Sequence, residues 1–121
     1  MTADELSDRL LDCAVRVGRV VDAIPETRLG RHIAGQLVRC GTASGPNDEE
    51  GCAAESSKDF IHKLRIALKE MRETRFWLRL LIRAELLPKT RLEDLVQEAD
   101  ELCRILAKSI LTARSNINRA N

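Results

Sequence analysis

At 121 residues the chain is one domain with room for a modest core, and 44% hydrophobic against 32% charged residues suits a soluble helical protein. Aromatics are only 2%, with no Tyr, so the core must be aliphatic and any nucleic acid would find few rings to stack on. The net charge of +1 conceals alternating acidic and basic blocks, and no run approaches the roughly 18 apolar residues of a membrane span.

Helix 1 is expected over about residues 3–24. Thr2 with Glu5 offers a capping box, and Asp4, Glu5 and Asp8 place negative charge at the positive end of the helix dipole. Leu6, Leu10, Cys13, Ala14, Val17, Val20 and Val21 mark its buried face, and Ile24-Pro25 ends it. Helix 2 is expected over 28–54, with Thr27 as N-cap and Leu29, Ile33, Leu37 and Cys40 at helical spacing. Gly35 weakens a helix interior, an effect that a close backbone approach there would offset. Gly41, Gly45, Pro46 and Gly51 weaken it further, so an interruption is predicted near 44–46, with a short helical segment resuming toward Ala54.

Helix 3, predicted over 57–87, is the element around which the rest is organised. Ser56 and Asp59 form its capping signal, Gly and Pro are absent from Lys58 to Leu87, and Pro88 stops the run. Such a helix is about 45 Å long at 1.5 Å per residue. Steps of 100° separate three faces. Phe60, Leu64, Ala67, Leu68, Met71, Leu78 and Ile82 form the core stripe. His62, Arg65, Lys69, Arg72, Arg79 and Arg83 form a basic stripe. Ile66, Trp77 and Leu80 fall on a third sector beside Glu70 and Glu73. One antiparallel bundle buries a single stripe, so this second apolar sector needs a cover. Self-association supplies one; Trp77 lying across a neighbouring helix of its own subunit is the alternative.

Helix 4 is expected over 90–117 after the Pro88-Lys89 connection, with Thr90 and Glu93 as a capping box. Leu92, Leu95, Val96, Ala99, Leu102, Cys103, Leu106, Ile110, Ala113 and Ile117 sustain its apolar stripe, and the last residues are expected to fray. The fold class that follows is all-α: one antiparallel up-and-down four-helix bundle spanning 1–121, its second helix interrupted.

From about Leu29 to Leu87 the chain carries a family resemblance. Gly41-Thr42-Ala43-Ser44-Gly45 with Asn47 and Glu50, Ala54-Glu55-Ser56, Lys58-Asp59-Phe60-Ile61, and the run from Ala67-Leu68-Lys69-Glu70 through Arg75-Phe76-Trp77-Leu78 are its elements. In these the chain resembles the bacterial four-helix-bundle family of the 23S ribosomal RNA intervening-sequence protein. Pro46, Gly51 and Cys52 depart from it, standing where helix-compatible residues are more usual. The resemblance implies an up-and-down bundle assembling as a homo-oligomeric ring, typically a pentamer. It also implies kinship to a branch that serves as the accessory protein of diversity-generating retroelements, where a basic pentamer engages reverse transcriptase and nucleic acid.

Catalytic and metal chemistry find little support. A di-iron bundle needs two Glu-x-x-His units, whereas this chain offers one Asp59-x-x-His62 and, besides it, only His32. No orienting group is evident for His62 as a general base, and no Gly-rich phosphate loop is present. Cys13, Cys40, Cys52 and Cys103 form no CxxC and read as small buried hydrophobes, although adjacent helices can bring Cys40 or Cys52 near another thiol. The expectation is a non-enzymatic protein without cofactor, metal or membrane contact, and the acidic N-terminus, unlike a signal peptide, leaves the cytoplasm as its location. Its leading partner is RNA or DNA, held without sequence preference by the basic stripe; the rival is a protein partner docked by the ring.

Overall fold

Three hydroxyl side chains set the starts of the first three helices. In the computed structural model, which describes residues 1–120, Thr2 Oγ1 accepts from the Glu5 amide at 3.1 Å to open α1 (Ala3–Ala23). Thr27 Oγ1 accepts from Gly30 at 3.0 Å to open α2 (Arg28–Cys52), and Ser56 Oγ accepts from Asp59 at 3.1 Å to open α3 (Ser57–Arg83). Each bond satisfies one amide that the first turn leaves without a partner. The fourth helix, α4 (Lys89–Ala120), begins differently. Thr90 lies inside its first turn rather than capping it, and the Arg91 amide closes that turn on the Pro88 carbonyl at 3.1 Å. The helix then runs to Ala120, past the predicted end at 117.

The helices pack in chain order, α1 on α2, α2 on α3 and α3 on α4, with a slighter contact returning from α4 to α1. Short connections make successive helices antiparallel. The protein is an all-α four-helix bundle, with no strand among the described residues. Its core is aliphatic: Leu10 and Val17 of α1, Ile33 and Leu37 of α2, Leu64, Met71, Leu78 and Leu81 of α3, and Leu92, Leu95, Leu102 and Leu106 of α4 are closed to solvent. On α3 the buried stripe takes in Ile61 and Leu81, while the expected Phe60 and Ile82 are half-buried at its margin. Ion pairs stitch the helices together outside this core. Arg9 of α1 reaches Glu98 of α4 at 2.5 Å, Arg39 of α2 holds Glu70 and Glu73 of α3, and Arg75 of α3 meets Asp100 of α4 at 2.7 Å.

Helix α2 is not interrupted. It runs unbroken through Gly41, Gly45, Pro46 and Gly51, because Gly41 and Gly51 serve packing between helices and Pro46 faces solvent. A Cβ on Gly41 would come within 2.6 Å of Val17 Cγ1 on α1, and one on Gly51 within 2.8 Å of Leu64 Cδ1 on α3. Between them, buried Ser44 donates its hydroxyl to the Ala67 carbonyl of α3 at 2.9 Å. Tertiary contact thus offsets weak local propensity. Pro46 is exposed, as is Thr42 four residues earlier, so the carbonyl that Pro46 leaves without a donor sits on the wet side of the helix. The Asn47 side-chain amide donates to the Ala43 carbonyl at 2.9 Å, adding a bond in the same turn. No close approach offsets Gly35, where nothing lies within 4 Å of an added Cβ; it is Gly41 that a neighbouring side chain crowds.

Helix α3 ends at Arg83 rather than Leu87. Glu85 adopts φ 57°, the left-handed conformation usual for glycine. The Glu85 amide bonds the Ile82 carbonyl and the Leu86 amide bonds the Leu81 carbonyl, each at 3.0 Å. This pair of bonds is a Schellman termination, and it stops the helix before Pro88 does. Of the cysteines, Cys13, Cys40 and Cys103 are buried as expected, whereas Cys52 is exposed. Burial pushes the Cys13 and Cys40 thiols up to about 11, so they stay protonated and packed.

Candidate nucleic-acid interface

The basic stripe on α3 is a property of the folded surface as well as of the sequence. His62, Arg65, Lys69, Arg72, Arg79 and Arg83 are all exposed. None forms an ion pair with an acid of its own subunit among the described residues, whereas Lys63 and Arg75 of α3 and Arg39 of α2, at the seams, do. Lys63 is paired with Glu50 at 3.3 Å, Arg75 with Asp100, and Arg39 is shared between Glu70 and Glu73. The fold therefore matches the charges at its helix seams and leaves one face of α3 uncompensated.

Two residues that the sequence reading assigned to no face complete it. Lys58 is exposed one turn before His62 and extends the stripe toward the helix start. Phe76 stands between Arg72 and Arg79 at the same helical register and is 57% exposed. With Arg79, Leu80 and Arg83 it lines a shallow recess of about 210 Å³. The stripe 58-62-65-69-72-76-79-83 thus steps by three and four along the outward side of α3. From Lys58 to Arg83 it spans about 37 Å at 1.5 Å per residue. Guanidinium and ammonium groups along such a line are spaced to neutralise successive phosphates, and an exposed ring among them offers a face to an unstacked base. The signal for Phe76 was present in the sequence, since its register places it among the arginines and away from the core stripe.

Ile66, Trp77 and Leu80, the second apolar sector, are half-buried. Trp77 lies against α2 of its own subunit, edge-on to His32 with ring centroids 5.7 Å apart, and its other edge meets Phe76 at 5.3 Å. Its indole Nε1 is buried and has no hydrogen-bond acceptor. Leu80 packs at the margin of the core. The apolar side chains left most open are instead Met1, Phe76, Leu11 and Val15 on α1, and Leu111 on α4. His62 stands on the outward face, and no set of three or more His, Cys, Asp or Glu able to hold a metal ion occurs among the described residues. Among the described residues no helix is long and apolar enough to cross a membrane.

Comparison with known proteins agrees with this architecture. A family model described as "23S rRNA-intervening sequence protein" matches residues 5–108. Among solved structures, the chain is similar to a protein of unknown function of the S23 ribosomal protein family from Bacteroides thetaiotaomicron. The two share 35% identity and superpose with a TM-score of 0.81, over 87% of this chain and 97% of that one. No curated protein matches.

Proposed function

We propose, from the premise that the chain belongs to the 23S rRNA-intervening sequence protein family, that it is a non-enzymatic nucleic-acid-binding protein. It works as a homo-oligomer in the cytoplasm, a pentameric ring in the arrangement its family resemblance implies, and holds RNA or DNA along the basic face of α3. One observation carries this reading. Cations at the seams are paired with carboxylates, while Arg65, Lys69, Arg72, Arg79 and Arg83 are exposed and form no ion pair among the described residues. No base-reading element accompanies them, so binding is governed by phosphate charge and is nearly independent of sequence.

A second reading is favoured by the open apolar residues. Leu11 and Leu111, 62% and 63% exposed on α1 and α4, lie away from the stripe and suit a protein-docking ring. There the assembly is an adaptor for another protein, such as a reverse transcriptase, and need not touch nucleic acid. The variant Arg72→Glu/Arg79→Glu separates the two, measured by solution mass and by fluorescence anisotropy with labelled RNA and DNA. Intact assembly with lost polyanion binding supports the first reading. Lost assembly, with no nucleic-acid binding by the unaltered protein either, supports the adaptor.

A further inference from the structure

At the end of the bundle where α1 and α3 begin and α2 and α4 finish, the packing leaves a cavity of about 200 Å³. Leu6, Phe60, Leu64 and Ile105 give it apolar walls, and Thr2 and Ser109 bring hydroxyls to it. Asp48 of α2 also lines it. This carboxylate is only 2% exposed, and its Oδ2 is buried without any hydrogen-bond partner. An unpaired buried carboxylate is costly, and its Oδ2 is open to a hydrogen-bond donor or cation from outside the chain.

We infer that this cavity is a binding site for a small aliphatic ammonium ion, whose charged head pairs with Asp48 and whose carbon chain lies on Leu6, Phe60, Leu64 and Ile105. An ammonium group donates up to three hydrogen bonds, and Asp48, Thr2 and Ser109 together supply the acceptors that line the cavity. A divalent metal is a poorer occupant, because no cluster of three or more His, Cys, Asp or Glu occurs among the described residues and the walls are hydrocarbon. Of the chain's own cations at this end, Lys63 is paired with Glu50 at 3.3 Å, Lys108 lies in the adjoining groove and Met1 lines the cavity, and none satisfies Oδ2.

The charge that holds the ligand is itself titratable. Burial, with a smaller contribution from the neighbouring Glu49 charge, pushes Asp48 up from the ordinary 3.8 to about 6. The other ionisable groups at the cavity are Cys52 on α2 and the amino group carried by Met1 before α1. From α3 and α4 the cavity receives only Phe60, Leu64, Ile105 and Ser109, none of them titratable. The ionised fraction of Asp48 therefore falls from nearly complete at pH 8 to about one tenth at pH 5.

The test is an NMR titration of the full chain with n-butylammonium, and with 1-butanol as the uncharged control of similar shape. Saturable shifts confined to Thr2, Leu6, Asp48, Phe60 and Ser109, weakening about tenfold from pH 8 to pH 5 and lost in Asp48→Asn, are the expected result. The inference is overturned if n-butylammonium gives no saturable shift, if 1-butanol binds as well as the ammonium, or if affinity is the same at both pH values. The pH series needs no variant, so it decides the matter even if Asp48→Asn were to fold poorly. Nucleic-acid binding by α3 stands or falls independently of this cavity.

Discussion

The unbroken course of α2 rests on small residues that let α1 approach it, and two alanine substitutions in that helix measure this directly. Gly35 and Gly41 both sit in the helix interior, so replacing either by Ala recovers roughly 1 kcal/mol of helix propensity. At Gly35 nothing lies within 4 Å of the new methyl, and Gly35→Ala is expected to stabilise by that amount. At Gly41 the methyl would stand 2.6 Å from Val17 Cγ1 and 3.1 Å from Val17 Cβ and Cγ2. Val17 is wholly buried, so the contact can be relieved only by moving α1 or forcing the side chain off its rotamer. Over-packing of this kind costs about 1–3 kcal/mol, which cancels or exceeds the propensity gain. Urea denaturation at one fixed protein concentration should therefore place Gly41→Ala about 1–3 kcal/mol below Gly35→Ala. Adding Val17→Ala to Gly41→Ala should recover part of the deficit, a coupling that single-site propensity cannot produce. If the two glycine variants are equally stabilised, close α1–α2 packing is not what the small residues are for.

Other expectations follow from the same geometry. Glu85→Gly relieves a left-handed residue at the end of α3 and should stabilise by about 0.5–1 kcal/mol, read as a raised urea midpoint. Asp48 is raised in the folded state, so the native protein binds the extra proton; stability is greatest below about pH 4 on this group's account and falls as pH rises through about 6. The loss amounts to about 3 kcal/mol at most, and Asp48→Asn should flatten that part of the stability–pH curve seen by denaturant titration. Phe76→Ala leaves the core untouched, since Phe76 is mostly exposed, and should weaken single-stranded RNA binding by about tenfold while changing duplex binding little.

How much of this was legible in the sequence depends on whether the deciding interaction is local. The caps at Thr2, Thr27 and Ser56 are contacts across three residues, and each is found where its pattern predicts. The periodic core of α3 and the six-residue basic stripe are equally local and equally visible. Helix α2 was read as broken because Gly41, Gly45 and Pro46 have poor propensity, whereas Val17, Leu64 and Ala67, distant in the chain, supply the compensation. The early end of α3 was hidden because Glu85 occupies a position where glycine is the usual signal. Phe76 escaped notice as a surface residue because an aromatic ring in an aliphatic protein looks like core until its register is compared with the arginines beside it. Asp48 looked like one more acid in a solvated run with Glu49 and Glu50; only the packing of α1, α3 and α4 around it isolates its carboxylate.

The central claim, that the outward face of α3 is a phosphate-binding surface, is tested most directly by the salt dependence of binding to a fluorescent single-stranded RNA at pH 8. Six Lys and Arg side chains on that face, Lys58 included, should give a line of log K against log salt with a slope of about −4, at about −0.7 for each phosphate neutralised. Steeper slopes follow if several subunits engage one strand. No binding at micromolar protein in low salt, or an affinity indifferent to salt, would contradict the account.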